Sequence, residues 1–512
     1  MGGAGRATAV ALLGMTGVLV DIEAALTNQK PGIKLVGLPD AALREAQVRI
    51  RSAIEHSGFE MPKRHLTVNL SPAALPKHGS AFDLGIALAV LVTQGVVDAE
   101  AVGDAVHLGE LGLDGRVRPV PGVLPAVLAA RRDGRGTVVV AAGDADEARL
   151  VSGVRVVPVA SLRDLAIALG AELDPVPVEP VPAPVSRRRV PVVPDLADVV
   201  GNREAVEALV VAAAGGHHLL MVGPPGAGKT MLAARLPGLL PDLDDGAALE
   251  ATCVASIAGE GLPEGGLHRR PPWEAPHHTA TAAALVGGGS GRIRPGAAAR
   301  ASGGVLFLDE APEFSAAALE ALRQPLESGE ITIERATVTA RYPGRFQLVL
   351  AANPCPCGQF GSVDGDCTCP ASVRRRYLDR LSGPLLDRVD LRVRLDRVSA
   401  AQLRMTDEGG GPTTEEARGR VLAARQRTGA RLAGTPWTTN AQVPGPWLRA
   451  PDRRLAPEVR APLDAALERG LLSMRGYDRV LRVSWTLADL AGIDRPGRRE
   501  VGAALTLRGT VR

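Results

Sequence analysis

One octapeptide in this sequence has the residue types and the spacing of a phosphate-binding loop. It reads GPPGAGKT, follows the apolar run LLMV and precedes a segment with helical character. In such a loop, backbone N–H groups surround phosphate oxygens, the lysine adds a positive charge and the hydroxyl binds Mg²⁺. Both flanks fit this context, so a chance glycine-rich turn is the weaker interpretation. The predicted nucleotide-binding residues are Gly223, Pro224, Pro225, Gly226, Ala227, Gly228, Lys229, Thr230 and Met231, and Lys229 is also predicted to act in catalysis.

Two further apolar runs end in polar side chains that suit the same chemistry. GVLFLDE ends in Asp309 and Glu310, and FQLVLAANP ends with Asn353 before its proline. Asp309 is predicted to hold Mg²⁺ together with Thr230, and Glu310 to polarise the attacking water. Asn353 can orient that water. The alternative is a buried strand that ends in two acids by chance.

These strand ends have to meet at one edge of a parallel sheet, and the surrounding sequence is organised accordingly. Residues 195–395 repeat a strand–loop–helix pattern and are predicted to form a nucleotide-binding core. A Pro-rich linker precedes it at 172–194. Residues 1–171 mix short apolar runs with helical segments, which predicts a separate α/β domain. Residues 396–512 lack strand signals and are predicted to be α-helical.

Composition limits the class of protein. Hydrophobic residues make up 46% of the 512 residues and aromatic residues 3%, so the core rests on Ala, Val and Leu. The net charge of +3 is too small to indicate a partner. No run of apolar residues is long enough to span a membrane, and the N-terminus does not have the pattern of a signal peptide. We therefore expect a cytoplasmic protein without a membrane partner.

Four of the five cysteines lie in one short stretch, NPCPCGQFGSVDGDCTCP. Cys355, Cys357, Cys367 and Cys369 follow the pattern C-x-C-x₉-C-x-C, which suggests a tetrahedral Zn²⁺ site, although C-x₂₋₄-C is the usual spacing. A reducible disulfide pair and four free thiols are the alternatives. The remote Cys253 is expected to be a core thiol. His277 and His278 in APHHTAT could bind metal, but we favour a structural role.

The longest motifs, PHHTAT, LRQPLE and NPCPCG together with GPPGAGKT and GVLFLDE, resemble the magnesium-chelatase-like AAA+ ATPases of the ComM/YifB type, and the resemblance extends over essentially the whole chain. It implies an α/β fold with a P-loop AAA+ parallel-sheet core, a helix-2 insert, a pre-sensor hairpin and an α-helical C-terminal lid. It also implies ATP and Mg²⁺, a homohexameric ring and a DNA-acting motor, similar to helicases for branch migration during natural transformation. A chelatase-like motor that remodels a protein partner is the alternative function.

The same resemblance implies two catalytic arginines. Arg388, in LLDRVD, stands where the family has an arginine finger that completes the neighbouring subunit's site. Arg475, in SMRGYDRVLR, stands where a second sensor arginine is expected in the lid, with Arg479 and Arg482 as alternatives.

Residues 328–349 alternate apolar and polar side chains in two runs, which predicts a β-hairpin. In the resembling helicases this hairpin points into the ring's channel. Arg335, Arg341 and Arg345 supply cations suited to DNA phosphates. The alternative is a solvated hairpin whose charges pair with Glu330 and Glu334.

Residues 1–171 also resemble the proteolytic domain of Lon-type proteases, through LPKHGSAFDLGIALAVL and GELGLDGRVRPVPGVLPAVLAA. Ala81 stands at the position of the nucleophilic serine and Leu124 at that of the lysine. Neither side chain can act as nucleophile or base, so we expect a binding or assembly domain. An active Lon-like protease, using Ser80 and Lys77 out of register, is the less favoured alternative.

Overall fold

The computed structural model of the protein describes residues 4–37, 40–183, 194–263, 265–289, 292–335, 338–361, 367–398 and 411–509. The linker predicted at 172–194 therefore lies partly outside the described residues. Residues 172–183 have no regular secondary structure, as the frequent prolines predict. No helix among the described residues is long and apolar enough to cross a membrane.

The N-terminal part forms a seven-stranded mixed sheet in the order β3-β4-β2-β1-β5-β8-β9. Its strands are β1 (Gly5–Leu13), β2 (Thr16–Thr27), β3 (Gly32–Val36), β4 (His65–Ser71), β5 (Ala105–Leu108), β8 (Thr137–Ala141) and β9 (Arg155–Val159), with a small ribbon of β6 (Glu110–Leu111) and β7 (Val117–Arg118) beside it. The helices are α1 (Ala41–His56), α2 (Asp83–Thr93), α3 (Ala99–Gly103), α4 (Val123–Arg132), α5 (Ala145–Ala148) and α6 (Leu162–Ala168). Helix α2 is buried along almost its whole length, which its apolar sequence explains.

The central part is built on a five-stranded parallel sheet in the order β11-β14-β17-β10-β18. The strands are β10 (Leu219–Val222), β11 (Trp273–Glu274), β14 (Val305–Leu308), β17 (Gln347–Ala352) and β18 (Leu391–Arg394). The three middle strands are buried at every residue, because helices cover both faces of a parallel sheet. This confirms the α/β class with a parallel-sheet core. The ends of β10, β14 and β17 lie side by side.

Helices and two hairpins surround this sheet. The helices are α7 (Arg203–Gly215), α8 (Lys229–Ala233), α9 (Leu236–Leu239), α10 (Asp245–Ala258), α11 (Ala282–Val286), α12 (Ala297–Arg300), α13 (Ala316–Ala321), α14 (Arg323–Ser328), α15 (Ala371–Leu378) and α16 (Gly383–Leu386). The short ribbon of β12 (Gly287–Gly288) and β13 (Arg294–Pro295) belongs to the insert that follows β11. The second hairpin pairs β15 (Glu330–Arg335) with β16 (Val338–Pro343) in antiparallel register.

The described residues after 411 are helical, with α17 (Thr414–Arg431), α18 (Gly445–Leu448), α19 (Pro457–Glu468), α20 (Met474–Ala491) and α21 (Arg498–Leu507). Helices α17 and α20 pack against α7, and their apolar side chains share one hydrophobic cluster with the central sheet. The boundaries proposed at residues 171, 194 and 395 stay predictions.

The N-terminal part contacts the central part through the segment that resembles the Lon lysine motif. The backbone N–H of Gly122 donates to the carbonyl of Ser256 in α10 over 3.0 Å. Arg292, from the insert, donates to the carbonyl of Pro121 over 3.2 Å. At a second contact, the N–H of Met15 donates to the carbonyl of Arg341 in β16 over 3.3 Å. The N-terminal part thus contacts both the insert and the hairpin of the central part.

Candidate nucleotide-binding site

The loop between β10 and α8 has the backbone shape that a phosphate cradle needs. Gly226 and Gly228 have φ angles of 80° and 86°, in the left-handed region that residues with a Cβ rarely adopt. Helix α8 then begins at Lys229, so its N-terminal N–H groups point towards the loop. The sequence pattern and the local geometry agree at this site.

The ammonium group of Lys229 lies at the end of two neighbouring strands. Its Nζ donates to the carbonyls of Gly223 (2.6 Å) and Pro224 (3.1 Å) and to Oδ1 of Asn353 (3.0 Å). Burial lowers the pKa of Lys229. The contact with Asn353 brings together two predicted site residues that are far apart in the sequence.

The predicted magnesium ligands also meet. The hydroxyl of Thr230 donates to Oδ2 of Asp309 over 2.6 Å. A hydroxyl and a carboxylate at this separation are oxygen donors of the kind that Mg²⁺ takes beside nucleotide phosphates. The cradle, the lysine and this oxygen pair therefore fit Mg²⁺–ATP.

Glu310 follows Asp309 and has an unusual backbone. Its φ angle is 50°, which is strained for a residue with a side chain. Its carboxylate lies 3.2 Å from Nδ1 of His278 in the insert and is half exposed. The APHHTAT motif drew attention to this histidine, but the sequence could not identify its contact with Glu310.

The four clustered cysteines converge. Their sulfur atoms all lie within 4.8 Å of one another, with Cys355 buried and Cys357 exposed. The separations of Cys355 from Cys357 and Cys367 are 3.3 and 3.7 Å. Tetrahedral zinc with Zn–S bonds of about 2.3 Å requires sulfur separations of about 3.8 Å. A backbone hydrogen bond involving Gln359 and contact with Cys355 lower the pKa of Cys357 to about 6. The geometry fits Zn²⁺ despite the unusual spacing.

The predicted finger, Arg388, lies in a separate cleft of about 270 Å³. Its guanidinium donates to the carbonyl of Pro384 over 2.6 Å and pairs with Glu327 of the LRQPLE motif. Burial, together with nearby arginines such as Arg323, lowers the pKa of Arg388. No described residue of the phosphate-binding loop lines this cleft.

The three candidates for the second sensor arginine, Arg475, Arg479 and Arg482, line the same cleft but differ in their partners. Arg479 binds Asp390 with a 2.5 Å contact, and Arg482 donates to the carbonyl of Val443 over 2.7 Å. Arg475, one turn earlier on α20, is exposed at the rim. Two of the three candidates are thus engaged in structural hydrogen bonds. This favours Arg475 for the sensor role.

Arg341 and Arg345 of the hairpin segment have weak or distant acidic partners. Nε of Arg341 lies 3.9 Å from Glu330, and the side chain is 68% exposed. Arg345 lies 3.4 Å from Glu250 on α10 and is 67% exposed. Arg335 ends β15 and pairs in register with Val338. The distance between Arg341 and Glu330 is at the upper limit for an ion pair. The charged side chain of Arg341 therefore remains largely exposed to solvent.

The residues at the Lon dyad positions form an apolar core. Leu124 is fully buried, and Ala81 packs against the same hydrophobic cluster. The out-of-register pair does not replace them, because Nζ of Lys77 donates to the carbonyl of Leu70 over 2.9 Å and the hydroxyl of Ser80 bonds to Glu110. The geometry therefore gives no support for a serine–lysine protease.

Comparisons with known proteins give a consistent picture over the whole length. The model described as magnesium chelatase, subunit ChlI, matches residues 195–403, a second ChlI model matches 22–144, and the ChlI C-terminal model matches 411–508. The chain is 51% identical over 514 residues to an uncharacterized protein of Mycobacterium tuberculosis, with 99% of each chain covered. It is 42% identical over 503 residues to competence protein ComM of Haemophilus influenzae (98% and 97% covered). Identity to the uncharacterized protein YifB of Escherichia coli is 38% over 502 residues (97% and 96% covered).

The similarity to Lon is partial. A Lon protease of Mycolicibacterium smegmatis is 32% identical over 140 residues, which is 26% of this chain and 18% of that protein.

Proposed function

Since the chain belongs to the ComM/YifB-type family of magnesium-chelatase-like AAA+ ATPases, we propose that it is a ring-forming motor that uses ATP hydrolysis to move DNA. Membership of this family implies ATP and Mg²⁺. The process that we propose is branch migration of recombining DNA during natural transformation, with a homohexamer as the working assembly. One observation carries the proposal: the arginine-bearing hairpin of β15 and β16 is followed along the chain by β17, the strand that leads to Asn353.

In the proposed mechanism, the residues at the strand ends divide the work of hydrolysis. The loop glycines and Lys229 bind and orient the β- and γ-phosphates. Thr230 and Asp309 would hold Mg²⁺, and the ion would supply positive charge beside the phosphates. Glu310 takes the role of the base that polarises water, and Asn353 orients that water.

The arginine cleft supports assembly into a ring. Arg388 and Arg475 line one cleft, and no described residue of the phosphate-binding loop lines it. In the proposed ring, both would reach phosphates bound by another subunit, as an arginine finger supplied in trans does. Repeated head-to-tail contacts of this kind close into a cyclic ring.

The hairpin supports DNA as the moving substrate. Strand β16 leads through Gly344 to β17, and β17 ends beside Asn353 and Lys229. In the proposed motor, a change at the phosphates would reach Arg341 and Arg345 along β17. Exposed arginines suit contacts with DNA phosphates, which do not depend on the base sequence.

ATPase turnover with and without single-stranded DNA, duplex DNA and a four-way junction tests the proposed function. We expect the junction to stimulate turnover most. A motor of the chelatase type, which the matching family models also suggest, would respond to a protein partner and to none of the three DNAs. That result would reject the DNA proposal while leaving the ATPase assignment intact.

Replacement of both Arg335 and Arg341 by alanine should weaken DNA binding and leave basal ATPase largely unchanged. Each lost phosphate contact removes about 0.7 to 0.9 from the slope of log K against log salt, so the double variant should lose about 1.4 to 1.8. Fluorescence anisotropy with labelled DNA across a salt series measures this slope.

A matched control removes two arginines far from the hairpin. Arg418 and Arg420 on α17 form surface ion pairs with Asp242 and Glu207. Their double alanine variant changes the net charge equally and should keep the wild-type slope. Equal slopes in all three proteins would mean that the hairpin does not contact DNA.

We also expect the purified protein to contain about one Zn²⁺ per chain, bound by the four clustered thiols. Metal analysis should show that Cys357→Ser together with Cys369→Ser removes the zinc. Cys253→Ala should retain it, because this thiol is buried elsewhere. Zinc-free wild-type protein with four titratable clustered thiols would contradict the prediction.

A further inference from the structure

A buried carboxylate joins the segment that carries Arg388 to the lid. Asp390, two residues after Arg388, is only 1% exposed. Its Oδ1 accepts a 2.5 Å hydrogen bond from Nη1 of Arg479, which lies on α20 of the lid. Its Oδ2 accepts from the backbone N–H of His218 over 3.2 Å and lies 3.4 Å from Nδ1 of His217. One side chain thus connects the lid to the residues that precede β10.

The charge of this carboxylate is compensated where it is buried. Burial alone would raise the pKa of Asp390, but the guanidinium of Arg479 and the contact with His217 hold this pKa well below its ordinary value. The carboxylate is therefore ionised, and its hydrogen bond with Arg479 is charge-assisted, which makes it about twice as strong as a neutral one. The ion pair holds its two elements in one arrangement.

The same segment has a second connection to the lid. Nη1 of Arg508, which follows α21, donates to the carbonyl of Val389 over 2.8 Å. Both residues between Arg388 and β18 are therefore bound by arginines of the lid. Helix α20 also carries Arg475, one turn before Arg479. The ion pair thus links the element that carries Arg388 to the element that carries Arg475.

We propose that Asp390 is a positioning residue, which holds Arg388 and Arg475 together as one unit that a subunit presents to the nucleotide of its neighbour. The proposal rests on the proposed ring, in which these arginines act in trans, and it adds the residue that keeps their relative position. Asp390 is buried and acts only through the two arginines.

Asp390→Asn tests the proposal, because it keeps the shape of the side chain and removes its charge. The variant's own phosphate-binding loop is unchanged, so its affinity for a fluorescent ATP analogue should equal that of the wild type. The rate of ATP hydrolysis without DNA should fall about 10²-fold, the cost of misplacing a catalytic group by about 1 Å. Steady-state phosphate release measures this rate.

Mixed assemblies show which side of the nucleotide site is defective. Asp390→Asn and Lys229→Ala subunits should complement each other at about one quarter of the sites, because the first retains its phosphate-binding loop and the second its arginines. Asp390→Asn and Arg388→Ala subunits should not complement each other, because neither supplies the arginines. General destabilisation would not give this pattern, since it would also impair the subunit's own phosphate-binding loop.

Asp489→Asn is the matched control. Asp489 lies on the same helix, is 2% exposed and pairs with Arg431 over 2.5 Å. Its described bonding partners all belong to the lid. Breaking either buried pair leaves an uncompensated charge and should lower the melting temperature. Asp489→Asn should nevertheless hydrolyse ATP at the wild-type rate below its melting temperature, because the segment that carries Arg388 keeps its contacts.

A second variant applies if Asp390→Asn does not fold. The combination of Asp390→Asn with Arg479→Gln removes both charges of the pair and leaves neither one uncompensated. It should show the same loss of hydrolysis and the same complementation pattern.

Hydrolysis at the wild-type rate by folded Asp390→Asn would overturn the proposal. Among mixtures whose subunits exchange, activity with Arg388→Ala, or inactivity with Lys229→Ala, would overturn it as well, because the defect would then lie in the variant's own phosphate-binding loop. A failure of Arg388→Ala to complement Lys229→Ala would instead reject the trans assignment itself. All rates are measured without DNA, so a failure of the proposed action on DNA leaves this result unaffected.

Discussion

Glu310→Gln should bind ATP with wild-type affinity and hydrolyse it about 10²- to 10⁴-fold more slowly, the range that general-base groups contribute. The amide has nearly the same shape as the carboxylate but cannot polarise water as a base. Nucleotide affinity rests on other atoms, namely the glycine cradle, Lys229 and the pair of Thr230 with Asp309. Binding and hydrolysis should therefore separate in this variant.

Lys229→Ala provides the contrasting result. It removes the positive charge that binds the phosphates, and it should therefore abolish nucleotide binding together with turnover. Glu313→Gln is the matched control. It lies three residues later, is exposed and pairs with Arg380 at the surface, so it should hydrolyse ATP normally. Isothermal titration with an ATP analogue and steady-state phosphate release measure the two quantities. Comparable turnover in Glu310→Gln and wild type would remove Glu310 from its role.

The strand-end chemistry could be predicted from the sequence because it depends on local patterns. Asp309 and Asn353 each follow an apolar run that is short enough for a buried strand, and parallel strands align their ends. The left-handed glycines of the loop follow from the same motif. The meeting of Lys229 with Asn353 required in addition that β10 and β17 be neighbours, which the structure shows.

Contacts between distant segments could not be predicted in this way. The pairing of Arg388 with Glu327 and that of His278 with Glu310 depend on how helices and the insert pack, and no periodicity encodes such packing. The hydrogen bond from Gly122 to Ser256 is a similar case, since the segment that resembles the Lon lysine motif does not indicate which residue it contacts. The cysteine cluster lies between these extremes, because the residue types suggested zinc while the C-x-C spacing argued against it.

Arg388→Ala should assemble normally and lose about 10³- to 10⁵-fold in hydrolysis, as fingers commonly contribute. In this chain Arg388 lies in the cleft with Arg475, outside the chain's own phosphate loop. When the ring closes, Arg388 would leave Glu327 and contact the γ-phosphate of the nucleotide bound by the neighbouring subunit. Glu327 is 61% exposed, so the truncation leaves no buried unpaired charge on Glu327.

Mixing the inactive Arg388→Ala and Lys229→Ala proteins distinguishes a trans role from a structural one. A subunit with an intact Lys229 can then receive Arg388 from an adjacent subunit, and an equal mixture of freely exchanging subunits should restore about one quarter of the sites. Arg380→Ala, an exposed arginine eight residues earlier, should keep full activity on its own. Native mass spectrometry shows whether the subunits exchange. If they exchange and the mixture stays inactive, the trans assignment is contradicted. Normal hydrolysis by Arg388→Ala alone would remove the finger from this position, since the γ-phosphate would then be stabilised without it.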